Sequence, residues 1–287
     1  MSSAIDYTLS NKGQDLHTMS NPQGNQYEQA IMRVGEILEP YDYDRMFGVF
    51  GFGGIPRYLG FAQVSHCWAL NGNPGNPQVP GAQGILAKYR ETLPQIELYG
   101  PTIFSEIIGQ FVQMVRAQGQ VTIYHVLLIM TDGAIVAQDM KKTKDMICQA
   151  AHLPCSIIIV GVGNSPELAQ MEDLDGDDDP LVDINGKKCV RDIVQFVKFN
   201  DCVARGNLGE EVLKELPDQV CQFMEMVGYQ PQPIQVNPNV YHVQMASAQQ
   251  IAGHLITGAL QEHTKGAISG LLQNANNAAQ ETQEAKE

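Results

Sequence analysis

The chain has 287 residues, 44% of them hydrophobic and 17% charged, with a formal net charge of −14. This is the composition of a globular protein with a sizeable core, and its acidity argues against a primary role on nucleic acid, where clustered Lys and Arg must neutralise phosphates. It argues equally against unaided adhesion to an anionic membrane, and no apolar run approaches the roughly 20 residues of a membrane span.

From the start of the chain, Met1-Ser2-Ser3 leads to an acidic residue rather than to the apolar core of a signal peptide. A cytoplasmic location is expected, with plasma-membrane association or a nuclear pool as variants. Ala4-Ile5 opens a first strand that ends at Asp6; with Ser2 and Ser3 before it, this strand reads as curtailed, too short and polar for the centre of a sheet. Tyr27, Ala30, Ile31, Val34, Ile37 and Leu38 share one helical face that stops at Pro40. Met46–Phe52 is a continuous apolar run, followed by a more polar edge-like run, Val64–Leu70, and an Asn/Gly/Pro loop from Asn71 to Pro77. Ile85 to Leu93 and Phe104 to Val115 give two further helices. Tyr124–Met130, Ser156–Val162 and Ile193–Phe199 are again unbroken apolar runs, and Val212 to Val227 reads as one long helix that Pro217 would kink.

Runs without period-2 alternation are strands buried on both faces. Alternating with helices, they predict an α/β fold: a doubly wound, mostly parallel sheet flanked by helices on both faces. The domain is expected to span 1–230, followed by a Pro/Asn-rich linker over 231–246. The tail over 247–287 is rich in Gln, Asn and Ala and reads as a weak amphipathic helix, interrupted by Gly258, Gly266 and Gly270, and then disorder. Cys67, Cys148, Cys155, Cys189, Cys202 and Cys221 contain no C-x-x-C pair and are expected to be reduced thiols in apolar surroundings.

The chemistry concentrates in three segments. Asp6-Tyr7-Thr8-Leu9-Ser10 carries oxygen side chains at i, i+2 and i+4; Thr102 precedes a helix, and Asp132 follows the most apolar strand. Ligands gather at the carboxyl ends of strands in a doubly wound sheet, where neighbouring loops diverge. Asp6, Thr8, Ser10, Thr102 and Asp132 would therefore meet at one rim and suit a hard divalent cation, Mg2+ first, with Mn2+ or Ca2+ as alternatives. With only two carboxylates, and the more so if one stands behind a water, such a cation keeps an open position that favours an outside carboxylate, an Asp or Glu from a partner protein. No general base is evident, so the reading is of an adhesion site rather than an enzyme, with a metal-dependent hydrolase as the alternative. Each segment also has a plain structural reading. Asp6, Thr8 and Ser10 could brace a turn, Thr102 could cap its helix with Glu106 near the capping-box position, and Asp132-Gly133 could be a turn. Elsewhere, Asp173–Pro180 fails the spacing of a calcium loop and reads as solvated, and Lys141, Lys142 and Lys144 read as an exposed helix face.

The three segments together resemble the metal-ion-dependent adhesion site of von Willebrand factor A domains, a Rossmann-like fold. The wording around them is similar to the copine family: Ala4–Asn11, Phe50-Gly-Phe-Gly53, Leu98–Thr102, Leu127–Gly133, Ser156–Gly163 and Arg191–Phe196. The resemblance runs from about residue 2 to residue 230. It implies an intracellular module that recruits partner proteins, with the metal roles on Asp6, Thr8, Ser10, Thr102 and Asp132. Copines carry two calcium- and phospholipid-binding C2 domains ahead of this domain. None precedes Met1 here, so membrane contact is expected only indirectly, and calcium-dependent phospholipid binding is an alternative that needs those modules. Related plant ubiquitin ligases carry a C-terminal RING, for which the tail has no Cys/His pattern.

Overall fold

The computed structural model describes residues 1–19, 23–119, 123–133, 135–176 and 179–229. The chain divides into two units, Met1–Gln230 and Pro231–Glu287, and every described residue lies in the first. The expected linker over 231–246 and the tail over 247–287 lie outside the described residues.

In chain order the elements are β1 (Ser2–Asp6), α1 (Gln26–Leu38), β2 (Met46–Phe52), β3 (Gly54–Pro56), β4 (Trp68–Ala69) and β5 (Gln78–Pro80). There follow α2 (Gly81–Thr92), β6 (Ile96–Leu98), α3 (Ser105–Gln118), β7 (His125–Thr131) and α4 (Ala137–Ala150). The last are β8 (Cys155–Gly161), β9 (Val194–Lys198), α5 (Phe199–Arg205), α6 (Leu208–Leu213) and α7 (Leu216–Met226). The main sheet runs β4-β2-β1-β7-β8-β9, with β5 sharing the outer edge of β2. β2, β1, β7, β8 and β9 are mutually parallel, whereas β4 and β5 pair antiparallel to β2. β3 and β6 form a small separate antiparallel pair.

Successive residues of the central strands enter opposite cores, as a period of two requires. Leu128 and Met130 of β7 pack with Val34, Phe47, Ile85 and Tyr89 on the α1/α2 side. Leu127 and Ile129 pack with Ile107, Phe111 and Ile147 on the α3/α4 side. This two-sided burial is why β7 and β8 read as unbroken apolar runs.

β1 corrects an expectation. It is a five-residue strand, buried throughout and central, paired with β2 on one side and β7 on the other. Its serines are accommodated locally. The Ser3 hydroxyl donates to the Gly48 carbonyl at 3.3 Å. A Cβ on Gly48 would sit 3.0 Å from Ser2 Oγ, so glycine leaves the room that the other hydroxyl needs. The long C-terminal helix is also corrected: α6 and α7 are separate, and Pro217 lies in the first turn of α7, where its missing N–H costs nothing. Val64–Leu70 contributes only the two residues of β4 to the sheet. Finally, Cys148 of α4 and Cys189 are joined as a disulfide, contrary to the expectation that all thiols are reduced. Forty-one positions separate the two, and the chain reversal that joins them left no spacing signature.

Arg191, in the loop before β9, is buried and uses all the donors of its guanidinium. Nε donates to Ala151 O, one terminal nitrogen to Tyr124 Oη and Gln219 O, and the other to Leu153 O and Cys155 O. Its carbon lies 5.9 Å from the Tyr124 ring centroid and 5.4 Å from that of Phe223.

Candidate metal centre

β1 and β7 are neighbours, and the chain leaves them in opposite directions along the sheet, to β2 and to β8. The carboxyl ends of this pair are therefore the switch point of the fold. Asp6 closes β1 and Asp132 directly follows β7.

Beyond Asp6 the backbone is pinned on both sides. Tyr7 N–H donates to Phe52 O at 2.8 Å, and Leu9 N–H to Tyr99 O at 2.6 Å. Thr8 is extended and leads into a 3-10 turn, Leu9–Gln14. Gly53 makes room for it: with φ +77° and a built Cβ only 2.2 Å from Thr8 Cγ2, no side chain fits there.

Four of the five sequence-derived residues form one hydrogen-bonded cluster. Thr8 N–H donates to Asp6 Oδ1 at 2.8 Å, and Thr131 Oγ1 donates to Asp6 Oδ2 at 2.6 Å. Ser10 Oγ donates to Asp132 Oδ1 at 2.9 Å and lies 2.9 Å from Thr8 Oγ1. Since the Ser10 hydrogen goes to the carboxylate, Thr8 is the donor to Ser10, and Thr8 in turn accepts from Asn11 Nδ2 at 3.3 Å. Asp6, Thr8 and Asp132 are buried, whereas Ser10 is exposed and opens the cluster to solvent.

Thr102 is buried but is not hydrogen-bonded to the other four among the described residues. It is tied in by backbone. Tyr99 bridges Thr8, and the Thr102 carbonyl accepts from Val136 N–H at 3.3 Å. The helix-capping alternative for Thr102 does not hold, because the N-cap of α3 is Phe104. The first amides there, which have no partner within the helix, are taken by Asp139 of α4, whose Oδ2 accepts from Phe104 N–H at 2.8 Å and Ser105 N–H at 3.1 Å. Asp139 also accepts from the hydroxyls of Ser105 and Thr143. It thus clamps the Thr102 loop to the segment after Asp132. In sequence it is one more acid in the first turn of a helix, and nothing there signals a reach to another helix.

Burial raises the Asp6 carboxyl above its ordinary range, against the lowering effect of bonds from Thr131 and Thr8. Asp132 is raised by burial and then by the negative charge of Asp6. A cation between them would offset both the burial of the two carboxylates and the repulsion between them. The donor set of two carboxylates with neighbouring hydroxyls is oxygen-only, which fits a hard divalent ion.

A separate acidic trio, Asp175, Asp192 and Glu215, half-buried, brings ligand atoms within 4.8 Å of one another. It shares no residue with the sequence-derived set. Asp175 Oδ2 accepts from Phe196 N–H and Asp192 Oδ1 from Val194 N–H, both at 3.0 Å, so these carboxylates brace β9. The expectation of a merely solvated acidic loop is thus modified at Asp175.

The Copine family profile matches residues 15–232, a span that contains Thr102 and Asp132 and begins after Ser10. Among solved structures, the chain is similar to the manganese-loaded TRAP protein of Plasmodium vivax, with 14% identity, 71% of this chain and 69% of that one covered, and a TM-score of 0.43. It is similar to a von Willebrand factor type A protein from Catenulispora acidiphila at 13% identity, covering 77% of this chain and 42% of that one, TM-score 0.40. It is similar as well to the SpRpn10 VWA domain, at 13% identity with 69% and 85% covered and a TM-score of 0.38. The family profile takes in well over half of the sequence, and the chain belongs to the copine family.

Proposed function

We propose that this copine domain is a protein-interaction module whose partner binding depends on a divalent cation, Mg2+ or Mn2+, held by Asp6, Thr8, Ser10, Thr102 and Asp132. The observation that carries the reading is the bond between Ser10 and Asp132, which joins the loop after β1 to the end of β7 and sets two buried carboxylates around hydroxyls. The partner would complete the coordination with an Asp or Glu, because five side-chain oxygens leave open one of the roughly six positions that such an ion fills. Support for a non-enzymatic role comes from His17, the imidazole bonded to the Asp6 carbonyl. Both of its ring nitrogens are engaged, so it is not free to act as a general base for a bound water.

Isothermal titration of the purified chain with Mn2+ and Mg2+ tests the proposal. Binding that disappears in Asp132→Ala, with the fold intact by circular dichroism, is the expected result. No heat of binding in the wild-type chain, or binding unchanged in Asp132→Ala, would overturn it.

A further inference from the structure

The loop that carries Asp6 is also held from within the core. His17 is buried, stacked on Tyr7 at a centroid distance of 5.3 Å and on Tyr27 at 4.4 Å. Its Nε2 lies 2.9 Å from the Asp6 carbonyl oxygen and its Nδ1 lies 2.7 Å from Tyr89 Oη. A carbonyl only accepts, so Nε2 carries the hydrogen. In the neutral ring Nδ1 must then accept, and Tyr89 donates to it. The Tyr89 oxygen in turn accepts from Asn25 Nδ2 at 3.0 Å, while Asn25 Oδ1 is occupied by Glu28 N–H at 2.9 Å. With Tyr89 donating to the neutral ring, the shorter of its two contacts with Asn25, at 3.0 Å against 3.3 Å to Oδ1, sets the sense, and the chain runs from Asn25 through Tyr89 and His17 to Asp6. Asn25 caps α1 in a capping box and Tyr89 sits on α2, so both helices on this face are referenced to the backbone of Asp6.

A phenyl ring would fill the same stack. The imidazole adds two directed hydrogen bonds, and one of them ends on the residue whose carboxylate faces Thr8 and Thr131. We propose that His17, oriented by Tyr89 and Asn25, is a positioning residue for the cation site, fixing the Asp6 backbone and with it the aim of the carboxylate. This rests on the cation-dependent reading above. Partners one step behind a metal ligand typically change affinity by about 10- to 100-fold.

The test is Mn2+ titration of the full chain as wild type, His17→Phe, His17→Gln and Tyr89→Phe, with thermal melts alongside. His17→Phe keeps the stack and removes both bonds; its Mn2+ affinity is expected to fall by about tenfold at a temperature where the melt shows it folded. Tyr89→Phe keeps the imidazole but frees its orientation, and a smaller loss is expected. His17→Gln restores a donor toward the Asp6 carbonyl and is expected to recover much of the affinity. Wild-type affinity in both Phe variants would overturn the positioning role, even if their melting points drop. Should His17→Phe fail to fold, Tyr89→Phe alone decides by the same criterion. A wild-type chain that binds no Mn2+ overturns the cation reading and this inference together, an outcome distinct from binding that the variants leave unchanged.

Discussion

The hydroxyl of Ser10 lies 2.9 Å from a carboxylate oxygen of Asp132, across 122 positions of sequence. The contact closes the gap between the first strand's loop and the end of β7, and Ser10 is the exposed member of the pair. Ser10→Ala is therefore expected to weaken Mn2+ binding by about tenfold. It should also cost about 1–3 kcal/mol of stability, because the buried Asp132 carboxylate loses a donor and the Thr8 hydroxyl an acceptor. Titration calorimetry and urea denaturation measure the two separately.

The raised carboxyls of Asp6 and Asp132 give a pH dependence with a definite sign. A carboxyl raised in the folded state binds its proton more tightly there than in the unfolded chain. Without a cation, the pair's contribution is most favourable below the ordinary carboxylate range, near pH 4, and is lost as pH rises through the folded values. Cation binding needs the ionised forms. The increase in melting temperature on adding Mg2+ should then be larger at about pH 7.5 than at about pH 5, where protons compete. An increase of equal size at both would contradict the assignment of these groups.

Asp139→Ala leaves the first amides of α3 without their acceptor and two hydroxyls without theirs. The expected destabilisation is about 2–3 kcal/mol, the scale of a lost N-cap with buried donors orphaned. Because the same carboxylate clamps the Thr102 loop, Mn2+ binding should weaken as well. Equilibrium unfolding in urea checks the first effect and calorimetry the second.

Gly53→Ala places a methyl group against Thr8 Cγ2 at a positive φ. Each of the two faults costs about 1–3 kcal/mol in general, and a combined loss in that range or above it is expected. Adding Thr8→Ser removes the opposing methyl and keeps the hydroxyl, so the double variant should regain part of the stability. Failure to regain any would show that the backbone conformation alone dominates.

Much of this architecture is visible in the amino-acid pattern, for a physical reason. Strands buried on both faces must be continuously apolar, and Met46–Phe52 was readable to the residue, while β7, β8 and β9 lie within one residue or so of their expected limits. β1 is poorly legible because its serine hydroxyls count as polar by composition but are accommodated beside Gly48 of β2. The three-residue strands β3, β5 and β6 are too short to carry a period. Around the cluster, spacing alone pointed to Asp6, Thr8 and Ser10. Thr131 was hidden inside its strand, and His17 and Asp139 act on partners that only the packing of separate elements reveals. Pro217 predicts a kink from sequence, whereas its register in the first helical turn makes it a boundary.

Arg191 stands at the end of β8 away from the rim, with five hydrogen bonds to four carbonyls and one phenol. It belongs to the Arg191–Phe196 string by which the chain resembles its relatives, yet its work is mechanical, bolting α4, β8 and α7 to one another. Lysine, with three donors on a single atom, has no means of filling the same sockets. A screen that finds position 191 essential for partner capture would consequently be detecting a frame that has come apart, and such hits belong with folding defects instead of on a map of the contact surface.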